Sequence, residues 1–108
     1  MEKLAFENET LTENSLKALS AYTDMIECQC PAKMIALLRE VRAFRDYTHD
    51  CIARYPEDKA VHHWLESAAV NIDKLLSATL VQLARLEGYV TGEDSIQKPA
   101  APAGRPAT

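Results

Sequence analysis

Apolar residues recur along this chain at helical spacing in three runs, each bounded by capping or breaking residues. In "TLTENSLKALSAYTDMIE", Leu16, Leu19, Tyr22 and Ile26 fall near a 3.6-residue period. Thr10 with Glu13 fits a capping box, in which each side chain satisfies an exposed amide of the other. The second run follows "CQCP". Pro31 suits the first helical position, where a missing N–H costs nothing, and Cys30 then falls at the cap. Met34, Leu37, Leu38, Val41, Phe44, Thr48, Cys51, Ile52 and Tyr55 mark one wide face, and Pro56 stops the run. The predicted helix is about 37 Å long at 1.5 Å per residue.

The third run carries the cleanest stripe: Val61, Leu65, Ala68, Ile72, Leu75, Thr79, Leu83 and Leu86. Asp58 is a natural N-cap and Gly88 a natural residue just past the C-terminus. This helix extends for about 45 Å. Strand signals and internal repeats are absent from the pattern. Residues 1–9 read as a flexible N-terminus, 10–90 as a helical domain and 91–108 as a disordered Pro/Ala-rich tail.

Two long helices joined by a turn of a few residues form an antiparallel hairpin. The expected fold is therefore all-α: a three-helix antiparallel bundle built on a helix 2–helix 3 hairpin. The first helix covers only part of one hairpin face. Apolar surface is left over on a small chain, so we expect dimerisation into a larger bundle.

Composition narrows the class. At 108 residues with 47% hydrophobic and 26% charged residues, the chain is globular and forms one domain at most. It has no apolar run of transmembrane length and no signal-peptide core, which points to the cytoplasm, where thiols stay reduced. The net charge is −4, and only residues 31–55 are clearly basic. Direct nucleic-acid binding is not expected from that balance, because such affinity rests largely on phosphate neutralisation.

The chemistry-bearing residues are few. If Tyr55 lies opposite Asp58, antiparallel pairing sets Cys51 across from His62, with Asp58 and Glu66 one turn to either side of that histidine. Thiolate and imidazole are good zinc or iron ligands. Cys28 and Cys30 sit about 30 Å along the axis from Cys51. The four residues Cys28, Cys30, Cys51 and His62 can therefore hold one zinc ion or iron–sulfur cluster only between two antiparallel subunits. Against this stand ordinary readings. Cys51 is a small packed hydrophobe, His62 and His63 are partly exposed polar residues, and Cys28 and Cys30 belong to a helix start that stabilises thiolates. Trp64 reads as an amphipathic interface residue. No phosphate loop, Glu-x-x-His pair or nucleophile elbow occurs, so an enzyme is not expected.

The segments "CQCPAKMIALLREVRAFRDYTHDC", "YPEDKAVHHWL" and "LARLEG" together resemble the helical C-terminal region of some proteobacterial MerR-family transcription regulators. The resemblance is carried by Cys28, Cys30, Pro31, Leu37, Leu38, Phe44, Tyr47, Cys51, Asp58, His62, Glu87 and Gly88. It spans residues 28–88. Such regulators have an N-terminal winged-helix DNA reader, which nothing here could form, and an acidic residue is usual where this chain has Arg45. The resemblance implies a self-associating, ligand-sensing helical module working without its DNA reader, with Cys-x-Cys-Pro linked to Cys51 and His62. With no catalytic motif, the expected function is a non-enzymatic regulatory and interaction module that partners a transcription regulator. The alternative is a small metal- or redox-sensing helical protein.

Overall fold

The computed structural model describes residues 3–23 and 27–97. Two short strands come first, β1 (Phe6–Glu7) and β2 (Thr10–Leu11), then α1 (Glu13–Thr23), α2 (Cys30–Arg54) and α3 (Lys59–Glu87). A single 3₁₀ turn, Pro56–Asp58, joins the two long helices. The molecule is mostly helical and elongated, 56 × 25 × 18 Å. Helices α2 and α3 form the antiparallel hairpin that the Pro56 punctuation predicts.

The all-α expectation is corrected by β1 and β2. These pair antiparallel, Phe6 with Leu11 and Glu7 with Thr10. Asn8 and Glu9 both have positive φ, 51° and 67°, as a two-residue hairpin turn of the primed kind requires. Thr10 therefore belongs to a strand, and its hydroxyl donates to the Glu7 carbonyl at 2.6 Å. The cap of α1 is Thr12, whose Oγ1 accepts from the Ser15 amide at 3.2 Å. The expected Thr10/Glu13 box is thus displaced by two residues. Ile26, expected on the first stripe, lies outside the described residues.

The packed body also reaches past the expected limits at both ends. Leu4 and Ile96 lie outside the expected 10–90 and are buried, beside Tyr89 and Val90 at its C-terminal limit. Gly88 ends α3 in the left-handed conformation, φ 91°, and turns the chain back along the bundle. The Gln97 amide donates to the Tyr89 carbonyl at 3.0 Å, and the Leu4 amide to the Asp94 carbonyl at 2.8 Å. Single bridges join Lys3 to Ser95 and Val90 to Ile96. Residues 3–9 and 91–97 therefore close one end of the bundle. Residues 98–108 lie outside the described part.

At that end, Leu4, Leu11, Leu16, Leu19, Ile35, Leu38, Leu80, Val81, Ala84, Tyr89, Val90 and Ile96 make the core. Toward the hairpin turn only Thr48, Cys51 and Ala69 are buried. The α2 start also differs by one position: Gln29 is the N-cap and Cys30 the first helical residue.

The inner face of α3 is the largest correction. Its buried residues are Ala69, Asp73, Ser77, Leu80, Val81 and Ala84. The expected stripe points elsewhere: Val61, Ile72, Leu75, Thr79 and Leu86 are exposed, and Leu65, Ala68 and Leu83 are half-buried. Small and polar side chains won the inner position because a cation meets the one acid among them. Asp73, 1% exposed, is held by Arg42, with Nε 2.8 Å from Oδ2 and Nη2 3.1 Å from Oδ1. Ser77 Oγ donates to Asp73 Oδ1 at 2.9 Å and accepts the Leu11 amide at 3.1 Å. Arg42 also donates to the Leu11 carbonyl. A buried charge is tolerated where it is paired and its remaining lone pairs are bonded.

Candidate functional site

The candidate residues divide between the two ends of α2. Cys28, half-buried against the core, and Cys30, exposed, lie at its start. Cys51 is buried near its end. The helix runs unbroken from Cys30 to Arg54, which keeps the two thiol ends about 30 Å apart. No group of three or more His, Cys, Asp or Glu side chains is arranged to hold a metal among the described residues.

His62 is half-buried one turn into α3. Its ring lies against Tyr55, with centroids 6.2 Å apart and planes 32° from parallel. Its Nδ1 is buried and has no hydrogen-bond partner among the described residues. Three cross-hairpin contacts set the register: Tyr55 with His62, His49 with Glu66 at 2.7 Å, and Arg42 with Asp73. This is about half a turn from the register expected from Tyr55 opposite Asp58, and it puts Tyr55 rather than Cys51 on the imidazole. Glu66 is shared, its second oxygen 3.9 Å from His63 Nδ1.

What the fold leaves open is larger than any of these clusters. Residues two apart on an α-helix point about 200° apart, so partners on one side of the hairpin locate the other side. Arg39 reaches Glu13 of α1, and Arg42 and Ser77 reach Leu11 of β2. Leu37, Phe44, Leu75 and Thr79, each two residues from one of these, face the opposite way, and all are exposed. The α1 and strand layer therefore covers one broad side of the hairpin. The other side presents Leu37 and Phe44 from α2 and Tyr55 just past its end, beside Val61, Ile72, Leu75 and Leu86 from α3. Large exposed apolar patches of this kind mark interaction sites.

The α3 part of this face is ordered by spacing. Val61, Leu65, Ala68, Ile72, Leu75, Thr79, Gln82 and Leu86 alternate steps of four and three, the a/d repeat of a helix that packs along another helix. None is charged. Thr79 donates its hydroxyl to the Leu75 carbonyl at 2.8 Å, which leaves its methyl for packing. At the C-terminal end of the stripe, Thr79, Gln82 and Leu86, with Ala78 and Leu83, line a shallow recess of about 420 Å³.

No helix among the described residues is long and apolar enough to cross a membrane. No protein-family model matches the chain, and neither a curated protein nor a solved structure does.

Proposed function

We propose that this chain is a non-enzymatic helical interaction module that works by self-association through the open side of the α2–α3 hairpin. The observation that supports it is the uncharged heptad-spaced stripe of α3. It runs from Val61 to Leu86 outside the chain's own core. Leu75 is 67% exposed and Leu86 70%, and such side chains on a long helix gain most when covered by another helix. The MerR-like pattern of residues 28–88 implies the same kind of module, a regulatory dimerisation element and partner of a transcription regulator. Sedimentation equilibrium at tens of micromolar tests the reading. A mass near twice the 12.0 kDa of one chain is expected; a mass near that of one chain rejects it.

A second reading is metal or redox sensing by Cys28, Cys30, Cys51 and His62. The buried Nδ1 of His62, without a hydrogen-bond partner among the described residues, favours it. With α2 unbroken, a zinc ion or cluster on this set would be shared between subunits. Zinc and iron content of protein grown in supplemented medium tests it. Stoichiometric metal lost in Cys28→Ser/Cys30→Ser supports the shared site, and metal-free wild type rejects the metal site.

A further inference from the structure

We propose that His49 of α2, with His63 and Glu66 of α3, binds a divalent transition-metal ion of the zinc and nickel class across the turn end of the hairpin. The site lies within one chain. It shares no residue with the Cys28, Cys30, Cys51 and His62 set, and it does not depend on self-association.

The three side chains meet on one carboxylate. Glu66 Oε2 is 2.7 Å from His49 Nδ1, and Oε1 is 3.9 Å from His63 Nδ1. Positions 63 and 66 are neighbours on the surface of α3, three residues apart. The register of the hairpin lays His49 against them from α2. Two imidazoles and a carboxylate are a donor set that holds zinc with one position left for water, and imidazole suits nickel as well.

Charge makes the same choice. Arg42 and Asp73 lie seven residues from His49 and Glu66 on their helices, two turns along the same seam. There the acid meets a guanidinium, which always carries its charge. Glu66 meets only imidazoles among the described residues, and an imidazole has no permanent charge. The Glu66 side chain is only 25% exposed, so it has lost part of its hydration without gaining a fixed cation. Of the cations one turn away, Arg45 is engaged by Asp46 and Asp73, and Lys59 is exposed to water. A divalent ion would do for Glu66 what Arg42 does for Asp73.

The donors stand near their bound positions without yet surrounding one point. Two ligands of one tetrahedral zinc, each about 2.0–2.1 Å from it, are about 3.3 Å apart. The observed separations, 2.7 and 3.9 Å, fall on either side of that value. The imidazoles are 69% and 60% exposed and have room to adjust, so the ion assembles the site. Bound there, it ties α2 to α3 in the half of the hairpin where only Thr48, Cys51 and Ala69 are buried.

The test is calorimetric titration of zinc chloride and nickel chloride into full-length Cys28→Ser/Cys30→Ser/Cys51→Ala, which has no thiols. One ion per chain is expected, with a melting temperature that rises with metal concentration. In that background Glu66→Gln and His63→Ala should each weaken binding by at least about tenfold. His62→Ala should leave it unchanged, because His62 lies against Tyr55 and outside the site. Circular dichroism of each variant establishes that it is folded. In the wild-type chain, zinc should shift the imidazole proton resonances of His49 and His63 and leave those of His62 in place. This measurement decides the matter if the thiol-free chain does not fold. Absence of binding by the folded thiol-free chain would overturn the site. So would affinity that survives Glu66→Gln, or loss and resonance shifts that follow His62 in place of His63.

Discussion

The guanidinium of Arg42 closes on the carboxylate of Asp73 in two parallel hydrogen bonds, 2.8 and 3.1 Å, across the α2–α3 interface. The Arg42 side chain is 12% exposed, so neither charge has water to fall back on. Removing Asp73 leaves the buried guanidinium only the Leu11 carbonyl and the half-exposed Glu13 carboxylate, 3.5 Å away, a loss of about 3 kcal/mol. Asp73→Ala should show it as a lower urea midpoint by circular dichroism. Replacing both residues with leucine should recover much of the loss. A double variant no better than Asp73→Ala would mean that the pair is not what holds this contact.

Ser77 joins that pair to the N-terminal hairpin. Its hydroxyl donates to Asp73 and accepts the Leu11 amide. Ser77→Ala strands a buried N–H and should cost about 1–3 kcal/mol. The Leu11 amide should also exchange with solvent faster than neighbouring core amides. Unchanged exchange at Leu11 would show that another group takes over the bond.

Tyr89 is buried with its hydroxyl unpartnered among the described residues. Burial, with negative Glu87 nearby, pushes the phenol well above its ordinary range. The folded state keeps the proton to higher pH than the unfolded chain does. The stability this gives is complete below about pH 10 and is lost progressively above it. Tyr89→Phe removes both the titration and the unpaired hydroxyl. At pH 7 its stability should equal or exceed wild type by up to about 1 kcal/mol. Its decline above pH 10 should be shallower, as thermal unfolding across pH will show.

Gly88 sits at φ 91°, and a Cβ there would meet nothing within 4 Å. The cost of Gly88→Ala is therefore conformational, about 1–2 kcal/mol. Gly88→Asn should cost less, since asparagine tolerates this conformation. Melting temperatures ordered Gly, Asn, Ala are expected.

Punctuation made much of the architecture legible. Pro31, Pro56 and Gly88 act within a turn of themselves, so the two long helices and their hairpin could be placed from local chemistry. The phase of α3 could not. Both its faces accept burial, and the inner one contains Asp73, which counts as polar until Arg42 arrives from 31 residues away. The N-terminal strands are two residues each, too short to show alternation, and the Asn8–Glu9 turn lacks the glycine that would announce it. Ile96, though buried, was hidden by the Pro/Ala-rich stretch that follows it. Of the candidate site, the burial of Cys51 was readable from its helix position. The contact of His62 with Tyr55 depended on a register that Pro56 alone does not determine.

The apolar core is gathered where α1, the strands and residues 89–97 close over α2 and α3. The far half of the hairpin has little beyond Thr48, Cys51 and Ala69 inside it. A single chain of this shape is a clamped end with a cantilevered pair of helices. Its amides should be graded in their protection, slowest near Leu38 and Leu80 and fastest around Pro56. The turn should be the first place a protease cuts and the easiest place to accept inserted residues, without loss of the clamped end.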